Sequence, residues 1–134
     1  MEFKMLDFNS WYIKALVINP EHKSLVEHLM IPGEEILVAS KEIDACVFLT
    51  NKRIIVSSKS GMIGKKIDCT SIPYKKIQMY SITKSESKDK GGMVEILVFG
   101  MEREKTTQRI EFGFTSEEDA MIAEKVISEG VLSV

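Results

Sequence analysis

The chain has 134 residues, of which 44% are hydrophobic and 28% are charged, and its formal net charge is −2. This length and composition are typical of one globular domain with its own core, without a low-complexity tract that would indicate disorder. The amino terminus lacks a secretory signal, and the longest apolar stretch is far below the ~18 residues that cross a bilayer. Because Cys46 and Cys69 also match no disulfide framework, we expect a cytoplasmic protein.

The amino-terminal part of the chain predicts a helical extension over residues 1–32. Ser10 is a favoured N-cap for a first helix, and the Asn-Pro-Glu sequence at 19–21 has the residue order of a second helix start. Pro and Gly at 32–33 end that second helix. The first helix would offer an apolar set for contact with another subunit: Trp11, Ile13, Leu16 and Val17.

From Glu34 onward the hydrophobic period changes from 3.6 to 2, and turn residues recur at short intervals, which predicts antiparallel β-structure. Asn51 and Lys52 form a two-residue hairpin turn between two strands. Pro73 requires a corner, because proline cannot donate a hydrogen bond to a strand ladder. The seven predicted strands are 34–42, 43–50, 53–59, 65–72, 77–84, 94–99 and a segment around 110–114.

A helix at the carboxyl end follows from its capping residues. Ser116 is a favoured N-cap, Asp119 stands at the capping-box position, and Gly130 is expected to end the helix. The apolar stripe of this helix is wide enough to close the open end of a barrel. It consists of Ala120, Ala123, Ile127 and Val131.

Two long motifs carry a family resemblance: FLTNKRIIV at 48–56 and GMIGKKIDCTSIPYKKI at 61–77. In this order they resemble the strand 2 to strand 5 core of the YvbH-like bacterial pleckstrin-homology (PH) domains. The resemblance covers about residues 33–131. It implies a mainly β domain over 33–134, in which a seven-stranded antiparallel sandwich or barrel is capped by a C-terminal α-helix. It further implies a binding or assembly module, and similar bacterial members form homo-oligomeric rings.

No set of residues in the sequence is suited to catalysis. His22 and His28 lie six residues apart on the predicted second helix, which places them on largely opposite faces, and neither pairs with a nearby cysteine. The glycine-rich stretch 61–66 fails the phosphate-loop pattern, which needs four residues between its glycines and Ser or Thr after the lysine. A glycine-permitted turn explains it better. We therefore predict no enzyme activity, no metal and no cofactor.

A group of lysines is the best candidate for binding an anion. In up-and-down strand order, alternate turns share one end of the sheet, which brings together Lys41, Lys59, Lys65, Lys66, Lys84, Lys88 and Lys90. The first turn, 41–44, is half acidic and strand 43–50 carries no basic residue, so a specific phosphoinositide motif is missing. We expect at most weak, salt-sensitive binding of an anionic lipid or another phosphorylated ligand. Strong membrane binding and nucleic-acid binding are not expected.

Uneven charge favours self-assembly. Residues 1–50 carry a charge of −4, residues 51–90 carry +7 and residues 91–134 carry −5. These complementary segments suit a head-to-tail contact between copies, although they are also consistent with solvated strand faces. Strand 94–99 has few charges to guard a sheet edge. The expected partners are therefore further copies of the chain in a closed ring, and other proteins. A monomer whose N-terminal helices fold over its own edge is the alternative.

Overall fold

The computed structural model describes residues 14–16, 23–42, 45–60, 66–84, 91–98, 108–114 and 116–133. Within these ranges the chain forms eight strands, namely β1 (Lys14–Leu16), β2 (Ile36–Glu42), β3 (Ala45–Thr50), β4 (Arg53–Ser60), β5 (Lys66–Pro73), β6 (Ile77–Lys84), β7 (Gly92–Val98) and β8 (Gln108–Phe114). One long helix, α1, covers Glu117–Leu132. Two short 3₁₀ helices cover Glu27–Leu29 and Tyr74–Lys76.

The strands form two antiparallel sheets. The first has the order β1-β2-β3-β4-β5 and the second has the order β6-β7-β8, so neighbours in sequence are neighbours in space. The 3₁₀ helix after Pro73 carries the chain from one sheet to the other, which confirms the predicted corner. Strands β2 to β8 match the seven predicted strands, and the mainly β fold with a C-terminal helix is confirmed.

The main core lies between the two sheets and beneath α1. Alternate residues of β7 are buried, as the period-two pattern requires, while the residues between them are partly exposed. Helix α1 contributes Ala120, Ala123 and Ile127, each with no exposed surface. The two sheets contribute Val47, Leu49, Ile54, Val56, Val94, Ile96, Ile110, Phe112 and Phe114. One continuous core therefore joins both sheets and the helix.

The first sheet is buried on its outer face as well. All six residues of β3 are buried, so neither face of that strand meets water. A second apolar cluster forms there from Ala39, Cys46, Phe48 and Ile55, and Val26 of the N-terminal segment completes it with no exposed surface. Burial of one large side chain such as Phe48 contributes about 2–3 kcal/mol. Segment 23–31 thus packs on its own sheet.

Part of the predicted N-terminal helical extension is wrong. Lys14–Leu16 is a strand, in which Leu16 pairs with Ala39 of β2. A short apolar segment fits either period, and the open edge of β2 supplies hydrogen bonds that decide in favour of the strand. Lys23 is helical, residues 24–26 form a turn, and the 3₁₀ helix Glu27–Leu29 follows. Of the predicted oligomer contacts, Trp11, Ile13 and Val17 lie outside the described residues.

Two further expectations are corrected by the structure. The predicted unguarded edge strand is β7, which lies between β6 and β8, so its lack of charge reflects a central position. Helix α1 does not end at Gly130 but continues to Leu132. Gly130 instead allows close approach, because a Cβ there would lie 2.3 Å from Cγ of Tyr74.

Candidate functional site

A partly buried ion pair organises the end of the first sheet at the β3–β4 hairpin. The guanidinium of Arg53 donates from Nε to Oε2 of Glu34 and from Nη2 to Oε1, both at 3.0 Å. The Glu34 side chain has no exposed surface and that of Arg53 is 22% exposed. Arg53 also donates to the carbonyl of Leu29 at 2.6 Å and to Oγ of Ser71 at 3.0 Å. The pair therefore joins the N-terminal segment to β4 and β5.

Two hydroxyl groups extend this ion pair into a network. Thr50 donates to Oε2 of Glu34 at 2.7 Å, and its oxygen accepts the amides of Lys52 and Arg53 in the hairpin turn. Tyr74 donates to the carbonyl of Thr50 at 2.6 Å. Burial raises the pKa of the Tyr74 hydroxyl above its usual range, and the charge of Glu34 adds to this effect.

Glu34 remains ionised although it is buried. Burial raises the pKa of its carboxyl, but hydrogen bonds from Arg53, Thr50 and the Ile31 amide, together with the Arg53 charge, outweigh burial and lower the pKa to about 2. All these partners belong to the protein itself. The arrangement is therefore a structural clamp on the N-terminal segment, with its polar groups committed to one another rather than to a ligand.

Asn51 adds a second attachment between the hairpin and the same segment. Its Oδ1 accepts the amide of Glu35 at 2.8 Å, and its Nδ2 donates to the carbonyl of Gly33 at 2.9 Å. Gly33 has a φ of 82°, a value that favours glycine because it has no Cβ. The hairpin predicted at Asn51 and Lys52 is confirmed, but these long-range bonds of Asn51 could not be read from its local sequence.

Of the four predicted lysines that the structure describes, three lie at the opposite end of the first sheet and the fourth lies on β6 of the second sheet. Lys41 lies near the end of β2, and Lys59 and Lys66 lie near the paired ends of β4 and β5. Lys84 ends β6, where it pairs with Gly92. The side chains of Lys59, Lys66 and Lys84 are exposed, whereas only the backbone of Lys41 is described. The others, Lys65, Lys88 and Lys90, lie outside the described residues.

A hydrogen bond connects the two sheets near this lysine end. The Ser40 hydroxyl, which is fully buried, donates to the carbonyl of Gly113 on β8 at 2.7 Å. Ser58 lies at the same end of β4 and is 3% exposed. Its Oγ has no hydrogen-bond partner among the described residues. A buried hydroxyl of this kind is unusual, and it lies on the core side of β4 with Ile54 and Val56, whereas Lys59 faces the other side.

The sheets leave two strand edges unpaired. β1 lies beside β8, but no strand in the described part of the chain pairs with the outer side of β5 or of β6. Each of these strands also carries a large apolar residue in water: Ile67 on β5 is 50% exposed and Met79 on β6 is 62% exposed. Edges of this type are where another protein chain can be added.

The outward residues of β6, β7 and β8 form the outer face of the second sheet. One row runs Met79, Leu97 and Arg109, and the next runs Ser81, Glu95 and Glu111. Arg109 Nε lies 3.6 Å from Oε2 of Glu95. The pKa of the Glu111 carboxyl is raised, first by burial and then by its hydrogen bond with Glu95 and the Glu95 charge. The charge of Arg109 opposes this rise in pKa. The two carboxyls therefore repel each other when both are ionised.

The described ranges contain no group of three or more His, Cys, Asp or Glu side chains with the geometry of a metal site. Among the helices of those ranges, none has the length and apolar character needed to span a bilayer.

Comparison with known proteins places the fold in a family. The sequence pattern described as "Bacterial PH domain" matches residues 9–131. The chain belongs to the bacterial PH domain family. The family predicted from the two motifs is thus confirmed, and the match begins upstream of β1, at residue 9.

Similar proteins add information on the fold of this bacterial PH domain. It is 33% identical over 75 residues to an uncharacterized protein, YjqA of Bacillus subtilis (strain 168), and this match spans 56% of the chain and 60% of YjqA. A DUF1696 family protein with a PH domain from Shewanella loihica PV-4 superposes with a TM-score of 0.64 at 20% identity, over 90% of this chain and 97% of that one.

A PH domain from Shewanella amazonensis SB2B gives a TM-score of 0.54 at 22% identity, over 84% of this chain and 87% of that one. At these identities the structural matches establish the fold alone. The role of the bacterial PH domain in this chain must therefore be argued from its own surfaces.

Proposed function

We propose that the chain is a non-catalytic binding module that acts through protein–protein contacts and assembles with further copies of itself. The observation that carries the proposal is the pair of unpaired strand edges on β5 and β6, each with a large exposed apolar side chain. An unpaired edge leaves backbone N–H and C=O groups open to another chain. A second protein that pairs with the edge forms hydrogen bonds with those backbone groups and removes the apolar residue from water.

The chemistry of the described residues supports a role without catalysis. Catalysis needs a nucleophile beside a base, paired carboxylates in a cleft or a bound metal. The strongest polar cluster, around Glu34 and Arg53, is saturated by its own hydrogen bonds and holds the N-terminal segment in place. Glu95 and Glu111 lie opposite each other on an open sheet face rather than in a cleft. A hydrolase or transferase activity abolished by one substitution would contradict this part of the proposal.

The charge of the chain supports a closed ring as the form of assembly. The proposed location of this ring is the cytoplasm. Residues 51–90 carry +7, while the flanking segments carry −4 and −5. Opposite charges on different parts of one chain favour a head-to-tail contact, which produces a ring when successive rotations close.

Light scattering coupled to size-exclusion chromatography tests the assembly. We expect a discrete mass that is an integer multiple of 15.2 kDa at tens of micromolar protein. A mass of 15.2 kDa across that concentration range would show a monomer and refute self-association. The matched control is lysozyme of similar mass in the same buffer, which calibrates the column for a monomer.

A second function, weak binding of an anionic lipid or another phosphorylated ligand, is favoured by one specific observation. Lys59 and Lys66 are both exposed at the paired ends of β4 and β5, which places two positive charges close together. Lysines bind phosphate as point charges, so such binding is weak and is screened by salt.

Vesicle sedimentation with paired charge variants tests this second function. Lys59→Glu/Lys66→Glu removes charge at the lysine end, and Lys52→Glu/Lys76→Glu makes the same charge change at the hairpin end. We expect vesicles with about 20% anionic lipid to bind the wild type only at low salt, because screening at ~0.5 M salt acts within a few Å. The first variant should lose binding and the second should keep it. Equal loss in both would assign the effect to net charge alone.

A further inference from the structure

Met79 and Ile67, the two most exposed large apolar residues on the described strands, differ in their charged surroundings. Single exposed apolar residues are ordinary on protein surfaces and by themselves indicate nothing. The charged residues near Met79, namely Arg109, Glu95 and Glu111, have a net charge of −1, whereas those near Ile67, namely Lys59, Lys66 and Asp68, have a net charge of +1. Because the net charges of the two surfaces have opposite sign, the two surfaces of different copies can attract each other.

The outer face of the second sheet is the acidic surface. Glu95 and Glu111 are directly opposite each other on β7 and β8, an arrangement that is unfavourable for like charges. Arg109 offsets it only in part, at 3.6 Å from Glu95 and with a side chain 56% exposed. These three groups carry a net charge of −1, and Met79 and Leu97 form the adjacent row. One additional cation would neutralise the face.

The basic surface is the β4–β5 corner, formed by Lys59, Lys66 and Ile67. Ile67 pairs directly with Lys59 across the two strands, and all three side chains are exposed. Lys59 makes no ion pair with any residue that the structure describes. The corner also includes the unpaired edge of β5. It therefore offers a cation beside an apolar group, in the combination that the acidic surface lacks.

We propose that the β4–β5 corner of one copy docks on the outer face of the second sheet of a neighbouring copy. In this contact Ile67 packs against Met79 and Leu97, and Lys59 lies near the Glu95 and Glu111 carboxylates. The inference rests on the proposed self-association and specifies its interface. Because the two surfaces are different parts of the same chain, an open row of copies leaves one surface unused at each end. The contact therefore repeats until a ring closes.

Two single substitutions test the contact through complementation. Met79→Asp disables the sheet face and Ile67→Asp disables the corner, and both positions are exposed, so the fold should persist. Each variant alone is expected to run as a monomer, with a dissociation constant at least about tenfold higher than that of the wild type. An equimolar mixture is expected to form a 1:1 heterodimer and nothing larger. The intact corner of Met79→Asp can bind the intact sheet face of Ile67→Asp, and no second contact of this kind is left.

A charge exchange tests the electrostatic part within a single chain. Lys59→Glu should weaken assembly about tenfold or more, and adding Glu111→Lys to the same chain should restore most of the loss, since the opposite charges face each other again. Two variants with similar exposure serve as controls: Gln78→Asp on β6 and Leu132→Asp at the end of α1. Both should assemble as the wild type does.

The outcomes separate this interface from self-association in general. A monomeric wild type would remove the proposed function itself. If the wild type assembles and Met79→Asp and Ile67→Asp assemble equally well, self-association holds and this interface is refuted. If both variants are monomers and their mixture is also monomeric, the head-to-tail pairing of these two surfaces is refuted. Circular dichroism of every variant should match that of the wild type.

Discussion

Neutralising Glu34 should lower the stability of the protein in a way that depends on pH. The Glu34 side chain has no exposed surface, and its pKa falls from 4.5 to about 2 in the folded protein. Each pKa unit corresponds to about 1.4 kcal/mol, so ionised Glu34 contributes about 3 kcal/mol to the free energy of unfolding.

The sign of the pH dependence follows from the lowered pKa. The contribution is present above the pKa of the unfolded chain, near 4.5, and is lost as pH falls towards 2, where the folded carboxyl also takes up a proton. At pH 3 less than half of the ~3 kcal/mol should remain. Glu34→Gln should therefore be least stable relative to the wild type at pH 5–7, and the two proteins should converge as pH decreases.

Urea unfolding followed by circular dichroism, repeated between pH 3 and pH 7, measures this difference. Glu35→Gln is the matched control, because Glu35 is adjacent and exposed and uses only its backbone to bond Asn51. The control should follow the wild type within a few tenths of a kcal/mol. A constant difference between Glu34→Gln and the wild type at all pH values would show that ionisation of Glu34 does not supply the stability.

Three further predictions concern packing, capping and surface charge. Gly130→Ala should lower the free energy of unfolding by about 1–3 kcal/mol, and with it the melting temperature, because the new methyl group would overlap the ring of Tyr74. An unchanged melting temperature would contradict this. Ser116→Ala should cost about 1 kcal/mol in urea unfolding because it removes the N-cap of α1, whereas Ser116→Asp should retain the capping bond. Glu111→Gln should raise the melting temperature at pH 7, where Glu111 and Glu95 repel, and the gain should disappear at low pH, where the raised pKa leaves Glu111 protonated.

Local signals were sufficient to predict the strands and the final helix. Strands β2 to β8 begin and end within about two residues of their predicted bounds, because alternation, Pro73 and the hairpin turn at Asn51 act over a few neighbouring residues. The N-cap at Ser116 is local in the same sense, and its hydroxyl accepts the amide of Asp119 as expected. Elements that depend on neighbouring residues could therefore be predicted from the sequence.

The features that sequence reasoning missed all depend on distant partners. Glu34 and Arg53 are 19 residues apart, and no local spacing indicates that they share a buried site. Leu16 became a strand residue because β2 offered an edge 23 positions later, at Ala39. Gly130 had the residue type of a helix end, but its role depends on Tyr74. In each case long-range packing overrode a local preference.

Native mass spectrometry measures self-association of the chain directly, because it resolves the mass of each assembly. The wild-type chain, sprayed from a volatile buffer at about 10–50 µM and low ionic strength, should give one dominant species at an integer multiple, two or greater, of 15.2 kDa. A spectrum that contains only the 15.2 kDa chain under these conditions would contradict the claim.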